Sequence, residues 1–137
     1  MPFSKKFCCG RVSSLYLRTL AAHRLRPLFI ALSAMSQFEN VSVLKKANVY
    51  FGGQCISHTV LFADGSKKSV GVILPSQLTF GTQAAEVMEL IEGRCRVRLK
   101  GEPGWKDYTG GQSFAVPANS SFEIETLDAL HYVCHFG

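Results

Sequence analysis

The chain has 137 residues, 47% of them hydrophobic, which suits one globular domain with its own core. No stretch approaches the roughly 18 uninterrupted apolar residues of a membrane-spanning helix, so no membrane partner is expected. The formal net charge of +5 makes no case for nucleic acid. Residues 1–34 carry Lys5, Lys6, Arg11, Arg18, Arg24 and Arg26 and no acid, whereas residues 35–137 hold nine Lys or Arg and all ten acids; a nucleic-acid surface needs its charge on the folded part.

The acid-free, Arg-rich residues 1–34 have the composition of an organellar transit peptide. The apolar run Leu28 to Ala34 is short for a secretory signal. Met35-Ser36-Gln37-Phe38 has the form of an ordinary protein start. The expectation is therefore a disordered extension or upstream sequence over 1–34, with a targeting peptide second. No sustained apolar period there supports a folded element. The domain is expected over 43–137.

From Val41 onward, short runs rich in Val, Ile, Phe, Tyr and Thr alternate with turn residues, the pattern of strands. In chain order these are Asn48 to Gly53, then Cys55 to Phe62 before the Asp64-Gly65 turn. Ser69 to Leu74 follows and stops at Pro75, which cannot continue a central strand. Next come Leu78 to Thr82, Glu86 to Ile91, Cys95 to Leu99, Trp105 to Tyr108, Ser113 to Val116, Phe122 to Glu125 and Leu130 to Phe136. Gly93, Gly101-Glu102-Pro103-Gly104, Gly110-Gly111 and Pro117-Ala118-Asn119 punctuate them. About ten short strands without a helical period read as an all-β, single-domain barrel or sandwich.

Successive strand residues face opposite ways. Cys95, Val97 and Leu99 therefore oppose Arg94, Arg96 and Arg98, and the arginine stripe is expected to face solvent. Glu86 shares a face with Met88 and Leu90, and a carboxylate on an apolar side is costly unless it is bonded or has a task. The five cysteines are odd in number and include no C-x-x-C. They predict reduced, mostly buried thiols and a cytoplasmic location.

Glu86, six residues and Gly93 reproduce half of the first cupin motif, and Gly111, five residues and Pro117 open the second. The His-x-His pair of metal-binding cupins is missing: Phe80-Gly81-Thr82 stands there, with Phe122 at the late histidine position. Of the four histidines, His58, His131 and His135 lie elsewhere in the domain, and no metal is expected. Over Asn48 to Phe136 the sequence resembles the pyrimidine/purine nucleoside phosphorylases, small cupins. The likeness is carried by Tyr50-Phe51-x-Gly53, Ser69-Val70-Gly71-Val72, Thr79-Phe80-Gly81-Thr82 and Glu86-x-Met88-x-x-Ile91-x-Gly93. Trp105, Tyr108, Gly111-x-x-Phe114-x-Val116-Pro117, Phe122 and Tyr132-x-Cys134 complete it. Asn119 follows Pro117 where many cupins have glycine, and Asn tolerates left-handed backbone.

The resemblance implies a jelly-roll cupin barrel and a homodimer. It implies phosphorolysis of purine and pyrimidine nucleosides to free base and α-D-ribose 1-phosphate in nucleotide salvage, with inorganic phosphate as co-substrate and no cofactor. Glu86 is the expected catalytic carboxylate, set to orient ribose hydroxyls and balance positive charge. Ser57 and Thr82 are candidate hydroxyl donors, and Phe51, Met88, Phe122 and Tyr132 candidates for the base slot. The competing expectation is a metal-free cupin that binds a sugar or nucleoside without turnover.

Overall fold

Strands that bury every second side chain, joined by Gly, Pro, Asp and Asn turns, leave no helix-forming segment between Val41 and the C-terminus. The computed structural model describes residues 36–137, and among them eleven strands follow one another. They are β1 Ser42–Val43, β2 Asn48–Tyr50, β3 Cys55–Leu61, β4 Lys67–Ile73, β5 Ser76–Thr82 and β6 Glu86–Glu92. They continue as β7 Arg94–Leu99, β8 Lys106–Thr109, β9 Ser113–Val116, β10 Ser120–Thr126 and β11 Leu130–Phe136. The expectations for residues 1–34 lie outside the described residues.

Two antiparallel sheets form the cupin-type, all-β architecture expected from the sequence. The larger runs β1-β3-β4-β11-β6-β9 with β2 also on β3, and the smaller runs β5-β10-β7-β8. β1 and β2 pair with opposite ends of the same β3 edge, Val43 with Val60 and Tyr50 with Cys55, so together they make one interrupted edge strand. The strand expected over Asn48 to Gly53 stops at Tyr50. Phe51–Gly53 is instead a 3-10 turn, with φ of 51°, 66° and 102° at its three residues. The two glycines accept that left-handed backbone and turn the chain into β3. Asn119 also adopts positive φ, 52°, in keeping with its place after Pro117.

Side chains on the inner face of the larger sheet fall into rows set by strand register. Cys55, Ile73 and Leu130 make the first row; Ser57, Gly71, Tyr132 and Leu90 the second; Thr59, Ser69, Cys134, Met88 and Phe114 the third. The fourth contains Leu61 beside Lys67, and Phe136 beside Glu86 and Val116. Ile73, Leu90, Ile124, Leu130, Val116, Cys55 and Cys95 are fully buried. Burial of an Ile or Leu contributes about 1.5–3 kcal/mol, so the first row and its facing aliphatics close one end of the fold. The second and third rows carry small or polar residues and leave space.

Arg94, Arg96 and Arg98 face outward as expected, paired with Asp128, Glu125 and Glu123. The Arg96 and Arg98 guanidinium carbons each lie 5.0 Å from the Trp105 ring centroid. Exposed pairs of this kind are worth about 0–1 kcal/mol each, so they pin register more than they stabilise. His135 lies on the outer face of the larger sheet, its Nε2 2.7 Å from Glu89.

Candidate active site

Because Ser57, Ser69, Gly71 and Cys134 stand where larger side chains would fill the interior, a cavity of about 150 Å³ opens between the sheets. Its large-sheet wall carries the polar side chains of Ser57, Ser69, Glu86, Tyr132 and Cys134 alongside Ile73 and Met88. Its small-sheet wall is aromatic, from Phe80 and Phe122, with Tyr50 and Phe136 also in the lining. Gly71 keeps the floor open. A Cβ there would lie 2.5 Å from the Ile56 carbonyl oxygen, 2.7 Å from Ser57 Cβ and 2.9 Å from the Tyr132 hydroxyl.

Glu86 begins β6 pointing inward, and the β6–β11 register places Phe136 opposite it. Cys134 Sγ donates to Glu86 Oε2 at 3.6 Å. Burial pushes the Glu86 carboxyl above its ordinary range, and the thiol contact only partly offsets this. Burial, then the neighbouring Glu86 charge, pushes the Cys134 thiol up to about 12, so it stays protonated and remains a donor. Among the described residues no cation is paired with Glu86. At the floor the Tyr132 hydroxyl lies 3.4 Å from Cys55 Sγ, and burial holds the phenol protonated. Asn48 Nδ2 reaches Ser57 Oγ from β2 at 3.4 Å. The site thus offers one poorly solvated carboxylate, several neutral donors and an aromatic face.

The fold brings five of the expected site residues, Glu86, Ser57, Met88, Phe122 and Tyr132, into this one lining. Phe51 lies outside it, edge-on to Phe80 at 5.1 Å. Thr82, the other expected hydroxyl donor, is also outside the lining: its hydroxyl donates to the Pro117 carbonyl at 2.6 Å and accepts from Ser120 N at 3.1 Å. Its one proton and one of its two lone pairs serve the β9–β10 turn. Sequence reasoning missed Ser69, Phe80 and Cys134. Alternation puts Cys134 on the face of Tyr132, but only strand register brings it to Glu86.

A family model described as pyrimidine/purine nucleoside phosphorylase matches residues 45–136. The chain belongs to this family. It is 69% identical over 104 residues to a pyrimidine/purine nucleoside phosphorylase of Thiobacillus denitrificans, an alignment covering 75% of this chain and 100% of the relative. A solved structure of a protein of unknown function from Acinetobacter sp. ADP1 superposes with a TM-score of 0.72 at 55% identity, covering 74% of this chain and 98% of that one. An RmlC-like cupin from Shewanella frigidimarina shares the fold alone, with a TM-score of 0.55 at 17% identity over 74% of this chain and 86% of its own.

Within this phosphorylase family member, the residues at the cupin metal positions do not fit a metal. Phe80 and Phe122, at two of the would-be histidine positions, pair across β5 and β10 and stack at 5.4 Å with 20° between planes. Glu86 is left with a protonated thiol, and among the described residues no three His, Cys, Asp or Glu side chains converge. One carboxylate and a neutral thiol do not make a first-row metal site. Phe80 and Phe122 form the cavity's aromatic wall instead.

Proposed function

We propose that the chain catalyses phosphorolysis of both purine and pyrimidine nucleosides in nucleotide salvage, with inorganic phosphate as co-substrate and neither metal nor other cofactor. The observation that carries this reading is Glu86, a single half-buried carboxylate in a cavity with neutral donors on one sheet and stacked aromatics on the other. A phosphate oxygen bonds to C1′ of the ribose as the C1′–N bond breaks. The bonding pair leaves with the base nitrogen, which gains the proton that hydrogen phosphate gives up, and attack from the face opposite the base gives the α-sugar phosphate. Glu86 orients ribose hydroxyls and balances the positive charge that develops on the sugar; the rest of the rate is attributed to holding the reactants in line. At about 150 Å³ the cavity is smaller than the roughly 300–1,000 Å³ of sites that engulf a drug-sized ligand. The sugar therefore occupies the interior, and the base rests against the half-buried Phe80, backed by the buried Phe122, on the open side of the cavity where both ring sizes fit.

No helix among the described residues is long and apolar enough to cross a membrane. The three buried free thiols Cys55, Cys95 and Cys134 support a cytoplasmic location. A homodimer is supported by the outer face of the larger sheet, where Ile56, Val70, Val87 and Ile91 are exposed among His131, His135, Glu89 and Glu92. A patch with an apolar centre and a polar surround can pair with its own copy about a two-fold axis.

The test is release of free base from uridine and adenosine by the purified full chain, with and without phosphate, in chelator throughout. Release from both that requires phosphate is the expected result. Nucleoside binding without release would replace this reading with the non-catalytic binding module.

A further inference from the structure

Phosphorolysis brings an anionic nucleophile beside Glu86, yet among the described residues the cavity lining contains no Lys or Arg. Bringing phosphate next to a carboxylate without a cation is opposed by like-charge repulsion in a partly desolvated space. A cation must therefore reach in from the rim.

Among the described residues the strand rows narrow the choice. Arg94, Arg96, Arg98 and Lys106 are all bonded to carboxylates, and the three arginines face away from the cavity. Lys68 points to the outer face of β4, over Phe62. Lys45 and Lys46 lie between β1 and β2, and Lys100 just after β7, none of them in a row with Glu86. Lys67 is different. It alternates onto the inner face of β4 with Ser69 and Gly71, one rung out from Ser69. His135 pairs with Lys68, and one step along the same register Phe136 stands beside Lys67. The Lys67 ammonium lies 5.6 Å from the centroid of the Phe136 ring, and Phe136 lines the cavity. Among the described residues no carboxylate is paired with Lys67.

We propose that Lys67, with the Ser69 hydroxyl beneath it, is the phosphate-holding cation of the site. The inference rests on the phosphorolysis reading and adds to it a location for the nucleophile. Phe136 sits opposite Glu86 in the sheet, so Lys67 and Glu86 flank it at backbone positions two strand spacings apart, about 10 Å. Phosphate held at Lys67 and Ser69 approaches the sugar from the large-sheet wall. The base lies against Phe80 and Phe122 on the opposite wall, the side from which it departs. Nucleophile and leaving group are then on opposite faces of C1′, as inversion demands. A lysine on a flexible stem at the rim also suits a co-substrate that must enter and leave every turnover.

The experiment compares wild type, Lys67→Met and Lys67→Arg for initial rates of base release with phosphate and uridine varied separately. Melting temperature with and without inorganic phosphate is measured alongside. Lys67→Met is expected to raise the KM for phosphate about tenfold or more, the usual size of a lost charge-assisted contact, and to leave the KM for uridine nearly unchanged. Lys67→Arg is expected to recover most of the loss. Phosphate should raise the melting temperature of wild type and of Glu86→Gln, but not of Lys67→Met, since ligand binding stabilises only where the site is intact. An unchanged phosphate KM in Lys67→Met, or equal rises for phosphate and uridine, would overturn the assignment. Wild type that releases base without needing phosphate would instead sink the phosphorolysis reading, and the two failures are distinct.

Discussion

Glu86 lies on the inner face of β6, where its carboxyl is raised by burial and only partly relieved by the Cys134 thiol. A carboxyl whose folded-state pKa lies above its unfolded value favours folding when protonated. Stability is therefore lost as pH climbs from the ordinary value of 4.5 through the raised one, and the loss persists above it. Glu86→Gln removes the charge and keeps an acceptor for Cys134. Its melting temperature is expected to be at or above that of wild type near pH 8, with the difference closing towards pH 4.5, while kcat/KM falls on the order of 10²-fold. Paired melting and activity profiles across pH check this; a variant less stable than wild type at pH 8 would make Glu86 a structural acid. The acid limb of the wild-type rate profile should sit above the ordinary carboxylate range and vanish in the variant. This residue was readable from alternation, which set it beside Met88 and Leu90. Its donor was not, because Cys134 lies 48 residues away and meets it only through β11–β6 pairing.

At the scale of the element, β4 decides the depth of the site. Ser69 and Gly71 are inward positions on a strand whose other inward residue in the core is the fully buried Ile73. Gly71→Ala places a methyl against the Ile56 carbonyl oxygen, Ser57 and Tyr132, and two of those three neighbours belong to paired β3. Overpacking of this sort costs about 1–3 kcal/mol, which for a domain of this size lowers Tm by roughly 4–8 °C per kcal/mol. The KM for nucleoside should rise with it, since Ser57 and Tyr132 line the floor. Thermal melting and steady-state rates test both, and an unchanged Tm with unchanged KM would show that the strand yields freely there. In the sequence Gly71 was visible only as part of a resemblance. The expected strand through Gly53 failed for a related reason: pairing ends where Gly52 and Gly53 allow the turn, and propensity alone does not mark that point.

For the molecule as a whole, the outer face of the larger sheet is the unexplained surface. Val70 is 39% exposed and Ile91 54% exposed on strands that are paired on both edges, so the apolar area faces outward. If this face joins two copies, Val70→Lys at its centre should convert a dimer into a monomer by sedimentation or light scattering, with the cavity lining untouched. A wild type that sediments as a monomer at micromolar concentration would remove the dimer reading.

The sequence by itself determined the all-β class, the outward arginine stripe, the missing histidine ligands and the inward carboxylate. Each follows from local periodicity or from residue identity, which need no knowledge of neighbours. Tertiary structure alone decided that Thr82 serves the Pro117 turn, that Phe80 and Phe122 stack into a wall, and that Ser69, Cys134 and Lys67 share the Glu86 side of the fold. Those are matters of register between strands far apart in the chain. The side-chain period of two says which way a residue faces, and only the pairing of strands says what it faces.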